Sequence, residues 1–227
     1  MYKNIIQAIR HLAASKRIFC SEADFQFALA WELQRILSSA QIFLESGVPI
    51  GQQDTFYVDI IVVLNSKRYY IELKYQTSLC ETSFCGFSIN LRNKSAQDLM
   101  RYDYLKDIYR LLTIKKCHQS DFGGGYAIIL TNDKLIYDVP RSSANPPLDF
   151  NFRIHDRRGL PKGKSTYPVP GPVFWNYCGP SITHWTITGP RKGFPLPMTI
   201  NTKWEQYLIF TDGNGKNQDF RYLLNVV

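Results

Sequence analysis

Two β-rich runs joined by a short polar turn constrain this chain more than any other feature. Residues 55–64 and 68–76 are dense in branched and aromatic side chains, and 65–67 (Asn-Ser-Lys) is typical of a turn. The sequence therefore predicts a β-hairpin. Residues 60–63 are apolar at four consecutive positions, which favours a central strand covered on both faces. An aspartate is disfavoured in such a strand, so Asp59 indicates a functional role for its carboxylate.

The register of this hairpin decides where its charged side chains lie. Successive side chains of a strand point to opposite faces, so Glu72 and Lys74 share one face of the second strand. If the turn pairs Leu64 with Tyr69, then Asp59 faces Lys74 and all three charges meet on one face. A slip of one residue would scatter them over both faces, so the register is a testable part of the prediction.

Two carboxylates and a lysine on one face suit a metal-dependent hydrolase. Asp59 and Glu72 would repel each other on an apolar hairpin, and a divalent cation removes that cost. Mg²⁺ usually takes one or two carboxylates together with water and phosphate oxygens, and it polarises a phosphate and activates water. Lys74 could orient or deprotonate that water, or stabilise charge on the phosphate. The alternative is an ordinary cross-strand ion pair on a solvent-facing hairpin.

Helical periodicity before the hairpin adds a third acid. Apolar spacing predicts one helix over residues 2–14 and a second that begins after Ser21, a favourable N-cap. Glu22 falls on the apolar stripe of the second helix and so points towards the sheet, with Gln26 one turn on as an accessory residue. The alternative for Glu22 is a favourable interaction with the helix dipole. A third helix covers about 95–113, where we expect Asp98 and Asp103 to cap, pair or face solvent.

The remaining pattern predicts an α/β arrangement. A short strand at 41–45 ends before Gly47, Pro49 and Gly51, and 126–131 is predicted to be a buried strand. The glycines at 123–125 lack the Lys-Ser/Thr of a phosphate loop and are interpreted as a flexible connection. Residues 204–211 and 219–226 predict a C-terminal hairpin over a turn at 212–215.

The composition changes at Pro140. Eleven of the twelve prolines lie between Pro140 and Pro197, and residues 141–200 hold eight Arg or Lys against two Asp, which is +6 of the net +8. Strands are predicted at 150–155 and 182–188. The region is either an elaboration that grips DNA phosphates or a Pro-rich cover packed on the sheet. The candidate nucleic-acid contacts are Arg157, Arg158, Lys162, Lys164, Arg191 and Lys192.

The bulk properties fit a protein that meets a polyanion. The net charge of +8 favours nucleic acid as the partner, although it could serve solubility only. We find no apolar run of about 20 residues and no signal peptide, which predicts a chain without a membrane segment. Cys80 and Cys85 could be a pair of metal ligands, but the five cysteines provide no second pair at ligand spacing. We therefore expect free thiols in a reducing cytoplasm.

Three segments together resemble the PD-(D/E)XK nuclease superfamily, which includes restriction endonucleases, Holliday-junction resolvases and VRR-type nucleases. They are 21–26 (SEADFQ), 57–60 (YVDI) and 71–75 (IELKY), in the order helix acid, strand Asp, strand ExK. The resemblance covers about residues 20–140, including the helix and strand that follow. The proline of the family motif is Val58 here, a position that does not touch the chemistry.

The resemblance implies a fold and a site. The fold is a restriction endonuclease-like α/β core, with a mixed central sheet flanked by helices. By this resemblance, residues 20–140 would be the core of a single domain over 1–227. The resemblance gives no counterpart for the rest, and the composition and pattern predict a Pro-rich basic elaboration at 141–200 and the C-terminal hairpin at 204–226. Asp59 and Glu72 would bind Mg²⁺ or Mn²⁺ with the Tyr75 carbonyl as a further ligand. Lys74 would serve the attacking water, Glu22 would act on the metal or its water, and Gln76 is a further accessory candidate.

The predicted function is a Mg²⁺-dependent nuclease that hydrolyses DNA. A homodimer would suit double-strand cutting, although no interface signal is visible. One alternative is a module of the same fold that binds nucleic acid or a protein without cleaving. Another is an unrelated α/β protein whose hairpin charges face solvent. The sequence leaves open DNA against RNA, endonuclease against exonuclease, and the biological pathway.

Overall fold

The computed structural model describes residues 1–138, 153–156, 171–173 and 194–227. The six candidate nucleic-acid contacts between Arg157 and Lys192, and the strand predicted at 182–188, lie outside these ranges. The helices and strands, in chain order, are α1 (Tyr2–Ala14), α2 (Glu22–Ile36), β1 (Gln41–Pro49), β2 (Thr55–Leu64), β3 (Lys67–Gln76), β4 (Cys80–Phe84), β5 (Phe87–Leu91), α3 (Gln97–Cys117), β6 (Phe122–Thr131), α4 (Lys134–Tyr137), β7 (Gly171–Val173), β8 (Phe194–Leu196), β9 (Glu205–Thr211) and β10 (Asn217–Val226).

A six-stranded sheet with the order β1-β2-β3-β6-β10-β9 organises the described part of the chain. Strands β3 and β6 run parallel, and every other neighbouring pair is antiparallel. The pairs β4–β5 and β7–β8 form two small sheets of their own. The predicted α/β class with a mixed sheet is therefore confirmed.

Apolar side chains cover the sheet on both faces. One buried cluster joins α1 and α2 to residues such as Ile60, Leu73 and Ile128. The other joins α3 to residues such as Tyr70 and Ile129. Because the central strands have helices on both sides, their sequences are nearly continuous in apolar residues, as expected for buried strands.

The first two predicted helices are confirmed in type and position. Ser21 lies before the first residue of α2, and its hydroxyl accepts the N–H of Asp24 at 3.1 Å. The Asp24 carboxylate in turn accepts the N–H of Cys20, just before the helix, at 2.9 Å. The helix start is therefore capped by Ser21 and Asp24, which leaves the neighbouring Glu22 carboxylate available for another partner.

The predicted hairpin register is wrong by two residues. Leu64 pairs with Lys67, not with Tyr69, and the turn contains only Asn65 and Ser66. These two residues have φ values of 51° and 62°, the left-handed backbone of a tight turn whose twist matches the flanking strands. Since the error is two residues and not one, it does not exchange the two faces of β3.

Three further expectations are corrected by the structure. β1 extends through Gly47 to Pro49. Proline has no backbone N–H, and this is tolerated in an edge strand, where one side of the strand needs no hydrogen-bond donor. The glycines at 123–125 belong to β6, and a Cβ on Gly123 would come within 2.6 Å of the Tyr69 ring. The β4–β5 hairpin was not predicted, and residues 153–155, the described part of the expected strand at 150–155, are not in a strand.

The C-terminal hairpin is confirmed as β9 and β10. β10 pairs with β6, so the end of the chain adds two strands to the central sheet. Within the described ranges, we find no helix with the length and apolar character needed to span a bilayer. Cys20, Cys80, Cys85 and Cys117 are all free thiols.

Candidate active site

Strands β2 and β3 separate at the position of Asp59. Their ladder ends at Ile60 opposite Ile71, whereas β3 continues to Gln76 paired with β6. In the fork that opens, the Oδ2 atom of Asp59 accepts the N–H of Leu73 at 2.5 Å. The carboxylate thus occupies the gap between the strands and takes a backbone donor that the β2–β3 ladder leaves free.

Strict alternation of side chains fails in β2 at this point. Val58 packs in the α3-side cluster and Ile60 in the α1/α2-side cluster, although the two positions have the same parity. Glu45, between the β1 residues that pair with Val58 and Ile60, has a left-handed φ of 48°. Gln26, buried on α2, donates to Glu45 Oε1 at 2.8 Å and to the Asp59 carbonyl at 2.6 Å. Gln26 therefore holds the backbone that presents Asp59.

The Asp59 carboxylate resists ionisation. Burial is the main cause, and it raises the pKa of Asp59 from 3.8 to about 6. The Leu73 N–H and the Lys74 cation favour the charged form, while Asp107 and Glu22 oppose it. A cation arriving beside Asp59 would remove this penalty.

Glu72 is the most deeply buried acid of the site, with 2% of its surface exposed. Its Oε1 atom lies 3.2 Å from Nη1 of Arg110 but makes no hydrogen bond to any residue that the structure describes. Burial raises the pKa of Glu72 well above its usual value, and Asp107 and Asp59 raise it further against the opposing effect of Arg110. A buried carboxylate oxygen without a hydrogen bond is costly, and its lone pairs are able to accept a ligand.

Lys74 faces α3 and is held there by an acid. Its Nζ atom lies 2.6 Å from Asp107 Oδ2 and donates to the Leu73 carbonyl at 3.0 Å. Burial disfavours the ammonium, but the nearby carboxylates of Asp107, Glu22 and Asp59 outweigh it and raise the pKa of Lys74. Lys74 is therefore a cation at every physiological pH.

Asp107 and Arg110 on α3 complete the site, and sequence reasoning missed both. Asp107 Oδ1 lies 3.0 Å from Nη1 of Arg110, whose Nη2 donates to the Tyr57 carbonyl. The Arg110 guanidinium also lies 5.2 Å from the centre of the Phe56 ring. These contacts fix Arg110 beside Glu72 as a counter-charge.

A sequence signal for Asp107 was present. Asp107 falls on the buried stripe of α3 formed by Tyr104, Ile108 and Leu111, at spacings of three and four residues. An acid on an apolar stripe is the same anomaly that singled out Glu22. The helix dipole cannot explain Asp107, because it lies in the middle of α3.

Glu22 reaches the sheet as predicted. Its Oε2 atom accepts the N–H of Tyr75 at 2.7 Å, so the α2 carboxylate meets β3 two residues after Leu73. The Tyr75 carbonyl accepts Nζ of Lys94 at 2.9 Å. A metal bound to this carbonyl would have to displace Lys94, so the role implied for Tyr75 stays a prediction.

The site opens on one side into a groove of about 420 Å³. Gln76, buried at the end of β3, faces this groove and donates to the Lys94 carbonyl at 2.7 Å. The groove is lined by Glu22, Lys74, Tyr75, Gln76, Lys94 and residues at the start of α3. It gives a substrate access to Lys74 and Glu22.

We call Glu22, Asp59, Glu72 and Asp107 the carboxylate cluster. Lys74 and Arg110 balance only two of its four acids. The atoms that could bind a metal are all carboxylate oxygens, which Mg²⁺ prefers, and Glu72 Oε1 has free lone pairs. Among the described residues, no group of three or more His, Cys, Asp or Glu is arranged to hold a metal ion. The fit is to a cation on one or two carboxylates that completes its shell with water and phosphate.

Comparisons with models of known protein families, with curated proteins and with solved structures each find no match to this chain.

Proposed function

We propose that this protein is a metal-dependent nuclease that hydrolyses phosphodiester bonds of nucleic acid, with DNA as the expected substrate. The observation that carries the proposal is Glu72. This buried acid has a raised pKa and, among the described residues, an oxygen without a hydrogen bond, and it interacts with Asp59 and with Lys74, which lines the open groove. Such an arrangement costs stability, and catalytic sites are where this cost is commonly found.

The order of elements supports the restriction endonuclease-like fold implied by the sequence resemblance. A helix with an acid, α2, precedes three antiparallel strands, and a second helix then leads to β6, parallel to β3. Asp59 lies near the fork of β2 and β3, and the ExK residues lie on β3 just beyond it. The sequence order and the spatial order therefore agree at each step.

Asp59 and Glu72 are the residues that would hold Mg²⁺ or Mn²⁺. When bound, such an ion polarises a phosphate and lowers the pKa of a bound water. Asp59 is held in place from two sides, since Leu73 donates to its carboxylate and Gln26 to its carbonyl. Glu72 keeps the lone pairs of Oε1 for a ligand, because its nearest cation, Arg110, is bonded to other oxygens.

Lys74 is suited to stabilise negative charge on the phosphate. Its pairing with Asp107 keeps the ammonium protonated, so it is a poor base for the attacking water. A fixed cation in a buried site lowers the energy of the charge that develops during hydrolysis. Of the roles the sequence allowed for Lys74, charge stabilisation agrees best with its contacts.

The test is a cleavage assay with a matched lysine control. Supercoiled plasmid, single-stranded DNA and RNA would be incubated with Mg²⁺, with Mn²⁺ and with a chelator. We expect cleavage that requires the metal and is lost in Lys74→Ala but kept in Lys116→Ala, which changes an exposed lysine of α3. Intact substrates in every metal condition would reject the proposal.

A non-cleaving module of the same fold is the second candidate. The ion pairs of Asp107 with Lys74 and of Glu72 with Arg110 favour it, because they give two acidic groups of the site a partner without any metal. In that case the protein would bind the same substrates without cutting them, and Lys74→Ala would change folding stability only.

A further inference from the structure

An exposed basic segment is fixed to the end of β3 by buried polar side chains. Thr77 Oγ1 donates to the Arg92 carbonyl at 2.8 Å, and the Lys94 N–H donates to the Thr77 carbonyl at 2.9 Å. Gln76 adds a third hydrogen bond, from Nε2 to the Lys94 carbonyl. Gln76 and Thr77 are 6% and 2% exposed, while Arg92 and Lys94 are exposed. The backbone of residues 92–94 is therefore held by hydrogen bonds to buried residues, although these residues are exposed on the surface.

The Lys94 side chain is also held in one place. Its Nζ atom donates to the Tyr75 carbonyl at 2.9 Å and lies 5.7 Å from the centre of the Tyr75 ring. Immobilising a lysine costs side-chain entropy. An ammonium has three donors, and among the described residues the Tyr75 carbonyl takes one of them. The remaining donors are available to a ligand in the groove.

Lys94 can offset the negative charge of the neighbouring carboxylate cluster. Four acids and two bases leave the carboxylate cluster negative, which repels a polyanionic strand. Lys94 lines the same groove as Lys74 and Glu22, and Arg92 lies two residues before it. The positive charge of Lys94 in the lining of the groove offsets this repulsion for a strand that lies there.

We propose that Lys94, supported by Arg92, contacts a backbone phosphate of a nucleic-acid strand that lies in this groove. The contact is independent of base sequence, because an ammonium reads a phosphate and not a base edge. Gln76 and Thr77 are positioning residues for it. The inference rests on the proposed function for the nature of the substrate and assigns the groove as the path of the strand.

Binding measured without cleavage tests the inference. Fluorescently labelled single-stranded and duplex DNA of about 30 nucleotides would be titrated with protein in chelator, over a range of KCl concentrations. Each phosphate contact contributes about 0.7–0.9 to the slope of log K against log salt. We expect Lys94→Gln to weaken binding and lower the slope by about one contact, and Lys94→Arg to keep the slope. Lys116→Gln, the control at an exposed lysine, should match the wild type.

A second variant separates positioning from folding. Gln76→Ala removes the hydrogen bond to the Lys94 carbonyl but keeps the charge, so we expect weaker binding with a smaller change in slope than in Lys94→Gln. Thermal unfolding of each variant measures any structural role of Lys94.

The outcomes for the inference and for the proposed function are distinct. An unchanged slope and affinity in Lys94→Gln overturns the inference, even if the wild type cleaves DNA with Mg²⁺. A lowered slope in a protein that never cleaves supports the inference and rejects the nuclease. A wild type that binds neither DNA form overturns the inference.

Discussion

Two buried polar groups of the central sheet differ in how well they are satisfied. The carboxylate cluster has four acids, two bases and an oxygen on Glu72 without a hydrogen bond. The second group, which we call the amide network, consists of Asn132, Asp212 and Gln218. Asn132 donates to Gln218 at 2.8 Å, and Gln218 donates to Asp212 at 2.7 Å. Every buried side-chain polar atom of these three residues has a partner.

The acids of the two groups are shifted in opposite directions. Burial raises the pKa of Asp59 to about 6, and only one backbone N–H and one lysine oppose it. Burial acts on Asp212 too, but hydrogen bonds from Lys216, Gln218 and Asn214 outweigh it and lower the pKa of Asp212. Ionisation thus costs stability in the cluster and adds stability in the network. A protein keeps an unfavourable group of this kind where function requires it.

The largest expected effect is on catalysis. Glu72→Gln removes a proposed metal ligand while keeping the shape, so we expect metal-dependent cleavage to fall by about 10³-fold or more, equivalent to about 4 kcal/mol. Because burial disfavours the charged form of Glu72, replacing it with a neutral amide should leave the free energy of unfolding equal or raise it. Cleavage rates and urea unfolding measure the two effects. A fully active Glu72→Gln protein would show that the cluster is not the site of chemistry.

The pH dependence of stability should carry the sign of Asp59. Its folded pKa of about 6 lies above the unfolded 3.8, so between these values the folded state binds more protons than the unfolded state. This contribution to stability is present at low pH and is lost as the pH rises towards 6, on the order of 2–3 kcal/mol. Asp59→Asn lacks it.

Urea unfolding of wild type and Asp59→Asn from pH 4 to 7 isolates this contribution. The stability of the variant relative to the wild type should increase with pH and then level off above 6. A relative stability that decreases with pH would mean that Asp59 is stabilised as an anion, which would remove the contrast with Asp212.

Truncating a side chain of the amide network should lower the free energy of unfolding, unlike Glu72→Gln in the carboxylate cluster. Asn132→Ala leaves the Ser78 N–H and the Gln218 amide without their partner, and we expect a loss of about 1–3 kcal/mol in the free energy of unfolding. Asn90→Ala, at an exposed position on β5, is the matched control. If Asn132→Ala were as stable as the wild type, the hydrogen bonds of the amide network would not stabilise the fold, and its contrast with the carboxylate cluster would fail.

The smallest effect is expected at Gln26, which supports Asp59 without belonging to the carboxylate cluster. Gln26→Ala removes the hydrogen bonds to Glu45 and to the Asp59 carbonyl and should cost about 1 kcal/mol of stability. Cleavage should fall mainly through kcat, because Asp59, a proposed metal ligand, is displaced while the groove is intact. Unchanged kcat would limit Gln26 to packing.

The predictable part of the fold was the part set by local patterns. Helical periodicity and the Ser21 cap located α1 and α2, and continuous apolar runs located the central strands. The β4–β5 hairpin was missed although Phe87–Leu91 alternates apolar and polar side chains, because each of its strands has only five residues, too few to identify a strand by pattern alone. The glycines of β6 were misread because the reason for Gly123, the Tyr69 ring, comes from another strand.

Sequence by itself determined which residues of β3 share a face, because alternation depends only on parity. That is why Glu72 and Lys74 both meet α3 although the predicted register was wrong by two residues. It also determined that Glu22 points to the sheet, because helical spacing is local. What only the tertiary structure decided is the surroundings of those residues. The fork at Asp59 and the contacts of Asp107 join segments far apart in the chain, and no local rule fixes how such segments pack.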